Sequence, residues 1–495
     1  MLNFYIFFIV NSLVWAIVSL CRSTLAIDAI EAIIWGELVS FGTNKHPPLS
    51  GWIGAGVYNF LGHSDFVMYL LGQICVFVGA IFVYKLAKNF VSKEKALCSA
   101  LILQACTYYS YSIYINSFNC NILLYALWPI VVYYFYNSIK NNKLKDWSLF
   151  GLFSGLSFLG KYQIVFLFIP MLLYLIIFSR EQFKKKGLYL SIAIGSLIIL
   201  PHVIWLVNND FFSFAYMLDR THSETHNLSP VLIKISHLFY PIKFIFGQVI
   251  AVVGCIGLYL LTALQAKNIS FKNQDANKQD KCFLIFVGIL PIVAHGFMGV
   301  LTGNRIPSVW GSIMVNLTGI MLFYFFPIKF KEDTYKFFIK LSYATMLISV
   351  AVILIFMSLQ TELVLSYPYK KITNDFDTIW KQETNNAELK YVGGLNGNIF
   401  QFEHYHPNHP KVILETFGHK NPWIDHEDII KSGALIISPS EESLPKFTKE
   451  SVYLLPENYK IKTNEYLFWI CNKYSACYPQ YFYYTIIPPQ NKLQK

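Results

Sequence analysis

The sequence predicts a polytopic α-helical membrane protein with a soluble α/β domain at its C-terminal end. Three observations predict it. Of 495 residues, 55% are hydrophobic and only 14% are charged, where a soluble chain carries about 25% charged residues. Apolar runs at 4–20, 66–86, 162–178 and 337–359 approach or exceed the ~20 residues with which a helix crosses a bilayer. Beyond residue 360 the pattern changes to short apolar stretches separated by Pro, Asn and Gly, as strands and turns require.

The first run lacks a basic leading segment and a small-residue cleavage site, and further spans follow it, so it is expected to be retained as a first helix. Spans are expected near 3–21, 66–86, 96–115, 120–139, 147–160, 162–179, 187–207, 239–264, 282–302, 308–328 and 337–359, about eleven in all. Alternate loops hold the lysines, around 85–95, 140–145, 180–186, 267–281 and 329–340. The positive-inside rule makes these loops cytoplasmic. The remaining loops, 22–65 and 208–238, are longer and carry the acidic and histidine residues. An odd number of spans puts the tail on the same outer side. The expected domains are thus a membrane-embedded catalytic part, 1–360, and an outer α/β domain, 361–495. The net charge of +11 reports this topology. It does not indicate nucleic acid, because the lysines form no aromatic-interleaved patch.

In the tail, strands are expected at 411–414, 434–437, 451–455, 466–470 and 481–487, with a helix near 425–432. Most of the nine cysteines lie in or beside apolar spans and read as small core residues. Cys471 and Cys477 share the tail, where an oxidising outer compartment would permit a disulfide between them.

Chemistry concentrates in the first outer loop. Asp28 and Glu31 are three apart, so on a helix both carboxylates share one face. Such a pair suits a general base or a metal ligand, or is simply the solvated start of a helix favoured by its dipole. Lys45 and His46 follow, then Pro47-Pro48 and an amphipathic segment with Trp52, Tyr58 and Phe60 that can lie in the membrane interface. Asp28, eighteen residues before His46-Pro47-Pro48-Leu49, resembles the first-loop signature of bacterial glycosyltransferase family 39. These are the dolichyl-phosphate-mannose-protein mannosyltransferase-like proteins of the GT-C fold, related to lipid A aminoarabinose transferases. Leu159-Gly160-Lys161-Tyr162, Pro201-His202-x-x-Trp205 with Asn208-Asn209-Asp210-x-x-Ser213-Phe214, and Gly303-Asn304-Arg305-x-Pro307-x-x-Trp310 are similar to later elements of that family. Two departures stand out. Ala29, not an acid, follows Asp28, and Asn121 occupies a position where relatives often carry Asp.

The resemblance implies an inner-membrane enzyme that passes a sugar, with inversion, from a polyprenyl (undecaprenyl) phosphate to an acceptor at the outer leaflet. Lipid A or lipopolysaccharide is the expected acceptor, a protein or another glycan the alternative. It implies Asp28 as base and Glu31 as its helper or as a metal ligand. Lys45, His46, Lys161, Arg220 and Arg305 are the expected phosphate binders, against a bland reading of the basic residues as snorkelling or headgroup contacts. The resemblance fixes no cofactor; a divalent metal would find candidate ligands in Glu31, His222 and His226. For His222, Glu224 and His226 a solvated polar loop is the plainer reading, since no helix signals surround them. His295 is expected to be packed and hydrogen-bonded to a neighbouring helix. A flippase or transporter of lipid-linked sugars is the rival of another class. It would show two-fold hydropathy and mid-span charges, and neither is evident here.

Overall fold

The structure is a computed structural model describing residues 2–216, 229–267, 277–359, 367–414, 424–452, 455, 459–471 and 477–489. The chain divides into two units. One comprises Met1–Ser19 and Ala32–Val352, the other Leu20–Glu31 and Ile353–Lys495. The first is helical. Five of its helices are long and apolar enough to cross a membrane: Leu2–Cys21, Asp65–Ala87, Cys120–Asn141, Lys186–Asn208 and Glu332–Met357. Cys120–Asn141 is the most enclosed of the five, with 78% of its apolar window buried, against 22% for Lys186–Asn208 and Glu332–Met357. Those two turn mostly apolar surface outward, as a lipid-facing helix does.

The eleven spans expected from hydropathy are not matched one for one. Three of them are bent pairs: Val231–Ala251 with Val253–Ala266 (41°), Lys278–Gly288 with Leu290–Thr302 (42°), and Ser308–Val315 with Thr318–Phe325 (53°). Counting each pair once gives up to eight spans among the described residues. The stretch expected at 96–115 is a helix, Lys93–Leu101, followed by short 3₁₀ turns and Tyr111–Asn116. The physical reason lies in distant side chains. Lipid tolerates a broken helix only where other groups satisfy the freed backbone atoms. The Cys255 thiol donates to the Ile102 carbonyl at 3.2 Å, and the Tyr125 hydroxyl to the Tyr108 carbonyl at 3.2 Å. The Ser308 carbonyl accepts from both the Tyr108 hydroxyl, at 2.8 Å, and Gln248 Nε2, at 2.9 Å. In the second pair Pro291 falls in the first turn of Leu290–Thr302 and removes an amide donor at the bend.

Two shorter helices frame the loop of interest. Ile27–Glu37 and Leu49–Phe60 approach so closely that a Cβ on Gly36 would lie 2.1 Å from the Gly51 carbonyl oxygen. Glycine is required there by contact.

The second unit carries a five-stranded mixed sheet in the order β2-β1-β3-β5-β4. Its strands are β1 (Tyr391–Gly394), β2 (Lys411–Leu414), β3 (Ala434–Ser438), β4 (Asn464–Cys471) and β5 (Cys477–Ile487). β1 runs parallel to β2 and β3, while β5 is antiparallel to β3 and β4. β1 and β3 are buried along their whole length, as parallel strands covered by helices are. Cys477 is disulfide-bonded, and the register sets Cys471 opposite it. The expected helix is His426–Ser432, capped by Asp425, whose carboxylate accepts from the Glu427 and Asp428 amides. The strand expected at 451–455 is corrected: Ser451 ends a helix, Leu444–Ser451. Leu444, Phe447, Thr448 and Ser451 are its buried residues, a helical spacing, and Leu444 and Phe447 join the core cluster with Ile413, Ile429 and Ile436.

Candidate active site

Asp28 and Glu31 lie one turn apart at the start of the Ile27–Glu37 helix, as their spacing implies. Asp28 is exposed in the first turn and Glu31 is only 4% exposed. The two carboxylates therefore differ in solvent exposure, Asp28 at the surface and Glu31 enclosed.

After this helix the chain makes a tight turn at Thr43-Asn44-Lys45-His46. Thr43 closes it: its hydroxyl donates to the His46 carbonyl at 2.9 Å and accepts the His46 amide at 2.9 Å, a local side-chain turn typical of threonine. Three outside groups then hold the loop. Trp52 Nε1 donates to the Ser40 carbonyl at 3.0 Å, and the Ser213 hydroxyl to the Thr43 carbonyl at 2.6 Å. His202 Nδ1 lies 2.6 Å from the Phe41 carbonyl oxygen. That oxygen can only accept, so Nδ1 carries the hydrogen, and Nε2 accepts from the Tyr162 hydroxyl at 2.8 Å. Gly42 lets the chain pass against Trp205, where a Cβ would lie 2.1 Å from the indole ring. On the loop so fixed, the Lys45 ammonium sits 5.9 Å from the Trp35 ring centre and 5.5 Å from that of Tyr216. His46 packs edge-on to Trp35. Asn44 is 1% exposed, and its amide has no hydrogen-bond partner among the described residues.

Lys161 follows the Leu144–Gly160 helix in extended conformation. It is 6% exposed; its ammonium donates to Asn121 Oδ1 at 2.6 Å and lies 5.7 Å from the Trp310 ring centre. Among the described residues it has no carboxylate partner. The ammonium thus meets an amide oxygen and an aromatic face, which leave an incoming anion without a carboxylate competitor among the described residues. Asn121, one of the two departures noted in the sequence, is thus the partner of the Lys161 ammonium, with an amide where an acid would pair it.

His295 is packed, at 3% exposure, but not by the hydrogen bond expected of it. Its ring stacks on Phe166 at 4.2 Å and on Trp310 at 6.3 Å, and Nδ1 has no hydrogen-bond partner among the described residues. Arg305 is exposed in the turn after Leu290–Thr302. Arg220, His222, Glu224 and His226 lie outside the described residues. Among the described residues no group of three or more His, Cys, Asp or Glu side chains is placed to hold a metal ion. The supporting roles of His202, Tyr162, Ser213 and Trp310 were not assigned from sequence. Their motifs were visible, but their partners lie up to 170 residues away.

Residues 45–205, which contain Lys45, Asn121, Lys161 and His202, match the dolichyl-phosphate-mannose-protein mannosyltransferase family. The chain is also similar to curated lipopolysaccharide core galacturonosyltransferases. It is 24% identical over 196 residues to the lipopolysaccharide core galacturonosyltransferase RgtA of Rhizobium johnstonii, covering 38% of each chain. It is 23% identical over 282 residues to RgtB of the same organism, a protein of the same description, covering 55% of this chain and 56% of that one. The matched regions thus span between 38% and 56% of these relatives' lengths. Among solved structures, ArnT from Cupriavidus metallidurans bound to undecaprenyl phosphate is similar over 98% of both chains, with 13% identity and a TM-score of 0.47.

Proposed function

We propose that this chain is a GT-C glycosyltransferase that transfers a sugar from a polyprenyl phosphate, undecaprenyl phosphate in bacteria, to an acceptor in the cell envelope. Lipid A or the lipopolysaccharide core is the acceptor that the relatives' descriptions favour. In this proposal the reaction runs on the periplasmic side of the inner membrane, with loop 22–65 and the tail on that side, as the lysine-rich alternate loops support. The observation that carries the reading is Lys161: a buried ammonium without a carboxylate partner among the described residues, inside the family-matched segment.

In this mechanism an acceptor hydroxyl attacks the anomeric carbon of the donor sugar from the face opposite the phosphate. The C1–O bond breaks, and its electron pair leaves with the polyprenyl phosphate, so configuration inverts. Asp28 takes the hydroxyl proton, a task for a carboxylate within hydrogen-bond reach, and Glu31 supports it from its enclosed position. Lys161 and Lys45, assisted by His46, Arg305 and Arg220, hold the phosphate as negative charge builds on it. The Lys45 ammonium lies 5.9 Å from the Trp35 ring centre and 5.5 Å from that of Tyr216, a cation–π setting that holds it less hydrated for an anion.

The test is transfer by the full chain in lipid nanodiscs, using an undecaprenyl-phosphate sugar as donor. Asp28→Asn is expected to lower kcat by about 10²–10⁴-fold, and Lys161→Met to raise the donor KM. Full activity of both variants refutes the reading. Mass spectrometry of envelope lipids from a strain lacking the protein identifies the sugar and the acceptor together, as the mass and the lipid that are lost.

A further inference from the structure

The helix bearing Asp28 is entered from a segment whose backbone is held by residues almost four hundred positions away. The Leu25 amide donates to the Tyr405 hydroxyl at 2.7 Å, and Gln401 Nε2 donates to the Leu25 carbonyl at 2.7 Å. Both backbone polar groups of one residue are thus taken by side chains one turn apart on the Asn396–Tyr405 helix. Leu25 and Gln401 are fully buried, so no water replaces these bonds cheaply. The Ala26 carbonyl, next in sequence, accepts the Ala29 and Ile30 amides and opens the Asp28 helix. Gly397 adds a steric stop, since a Cβ there would lie 3.3 Å from Ile27 Cδ1.

The Asn396–Tyr405 helix is itself anchored in the second unit. The Thr373 hydroxyl donates to the Tyr405 carbonyl at 3.0 Å, the Tyr369 hydroxyl to Asn398 Oδ1 at 3.0 Å, and the Phe376 and Phe402 rings meet at 5.7 Å.

We propose that Gln401 and Tyr405 are positioning residues that set the entry of the Asp28 helix, and so make the C-terminal sheet unit a working part of the transfer reaction. The proposal rests on the reading of Asp28 as base. An acceptor-recruiting appendage would have no need to bind both polar groups of Leu25. A base moved by about 1 Å loses on the order of 10²-fold in rate, and the Leu25 clamp stands three residues from it.

The experiment uses the full chain in nanodiscs. Tyr405→Phe deletes one oxygen, and Gln401→Met keeps length while removing the donor. Each is expected to lower kcat by about tenfold or more with the donor KM changed by less than about twofold. On an Asp28→Asn background neither should lower the residual rate further, because a misplaced base cannot be lost twice. Hydrogen exchange of segment 20–31 should accelerate in Tyr405→Phe while β1 and β3 stay protected. Unchanged kcat in both variants overturns the positioning role and leaves the base assignment intact. Losses that multiply with Asp28→Asn also overturn it, since they would act through something other than the base. Full activity of Asp28→Asn alone overturns the base assignment, and the positioning role with it.

Discussion

Replacing Asn121 by Asp tests the anion site with the smallest change available, one amide for one carboxylate. The Lys161 ammonium is 2.6 Å from Asn121 Oδ1. At an effective dielectric of about 20, a unit negative charge at that distance attracts the ammonium by about 6 kcal/mol before desolvation. Burying the new carboxylate offsets much of this. The remainder is comparable to a charge-assisted hydrogen bond, about 1.5–3 kcal/mol. A donor phosphate must then compete for a cation that is already paired. Its KM should rise about 10–100-fold in Asn121→Asp, with kcat at saturating donor little changed. Lys161→Met should raise KM by a similar factor. Asn121→Leu, which removes the amide without adding charge, should have a smaller effect. The assay is initial rate against donor concentration in nanodiscs at fixed acceptor. If Asn121→Asp leaves KM unchanged, Lys161 does not hold the phosphate. If it raises activity, position 121 calls for a carboxylate, Lys161 exists to orient it, and the argument is reversed.

Gly36→Ala should cost about 1–3 kcal/mol through overpacking, because its Cβ would lie 2.1 Å from the Gly51 carbonyl oxygen; a lowered thermal midpoint in detergent checks this, and an unchanged one refutes it. His406 in the tail is held neutral: burial outweighs the nearby Asp377, while His409 and Lys381 add to the effect, and its pKa falls from 6.5 to about 4. Between those values the unfolded chain binds more protons than the folded one, so stability is full above pH 6.5 and falls as pH drops toward 4, by up to about 3 kcal/mol. Thermal unfolding at pH 4.5 and 7 should show a smaller difference in His406→Gln than in the parent. A reporter fused after Leu359 should be active only in the form that works outside the cytoplasm; activity of a cytoplasmic reporter there would reverse the topology.

What could be read from sequence was what depends on neighbours along the chain. The unbroken helices Asp65–Ala87, Cys120–Asn141 and Lys186–Asn208 follow from run length alone, and the pairing of Asp28 with Glu31 from a spacing of three. The breaks were hidden because they depend on remote partners, such as the Cys255 thiol on the Ile102 carbonyl. Lys161 was recognised as a cation, but its lack of a carboxylate partner among the described residues depends on Asn121 forty residues earlier. The packing of His295 was anticipated and its means was not: three flanking rings replaced the expected hydrogen bond. At 444–451 a helical spacing of Leu444, Phe447 and Ser451 was overlooked beside the more conspicuous apolar run that follows it.

The bent pairs bear on how the protein is made. Lys278–Gly288 has 11 residues and Leu290–Thr302 has 13, so each is less than about 20 Å long, against a hydrocarbon core of about 30 Å. Neither half is long enough to partition into lipid alone. The insertion machinery must therefore hold the first half until the second has been synthesised, and release the two together. A charge placed in the apolar part of either half, such as Leu284→Arg or Val293→Arg, should leave both halves uninserted, whereas the same change in one long continuous span would have only its own hydrophobicity to overcome.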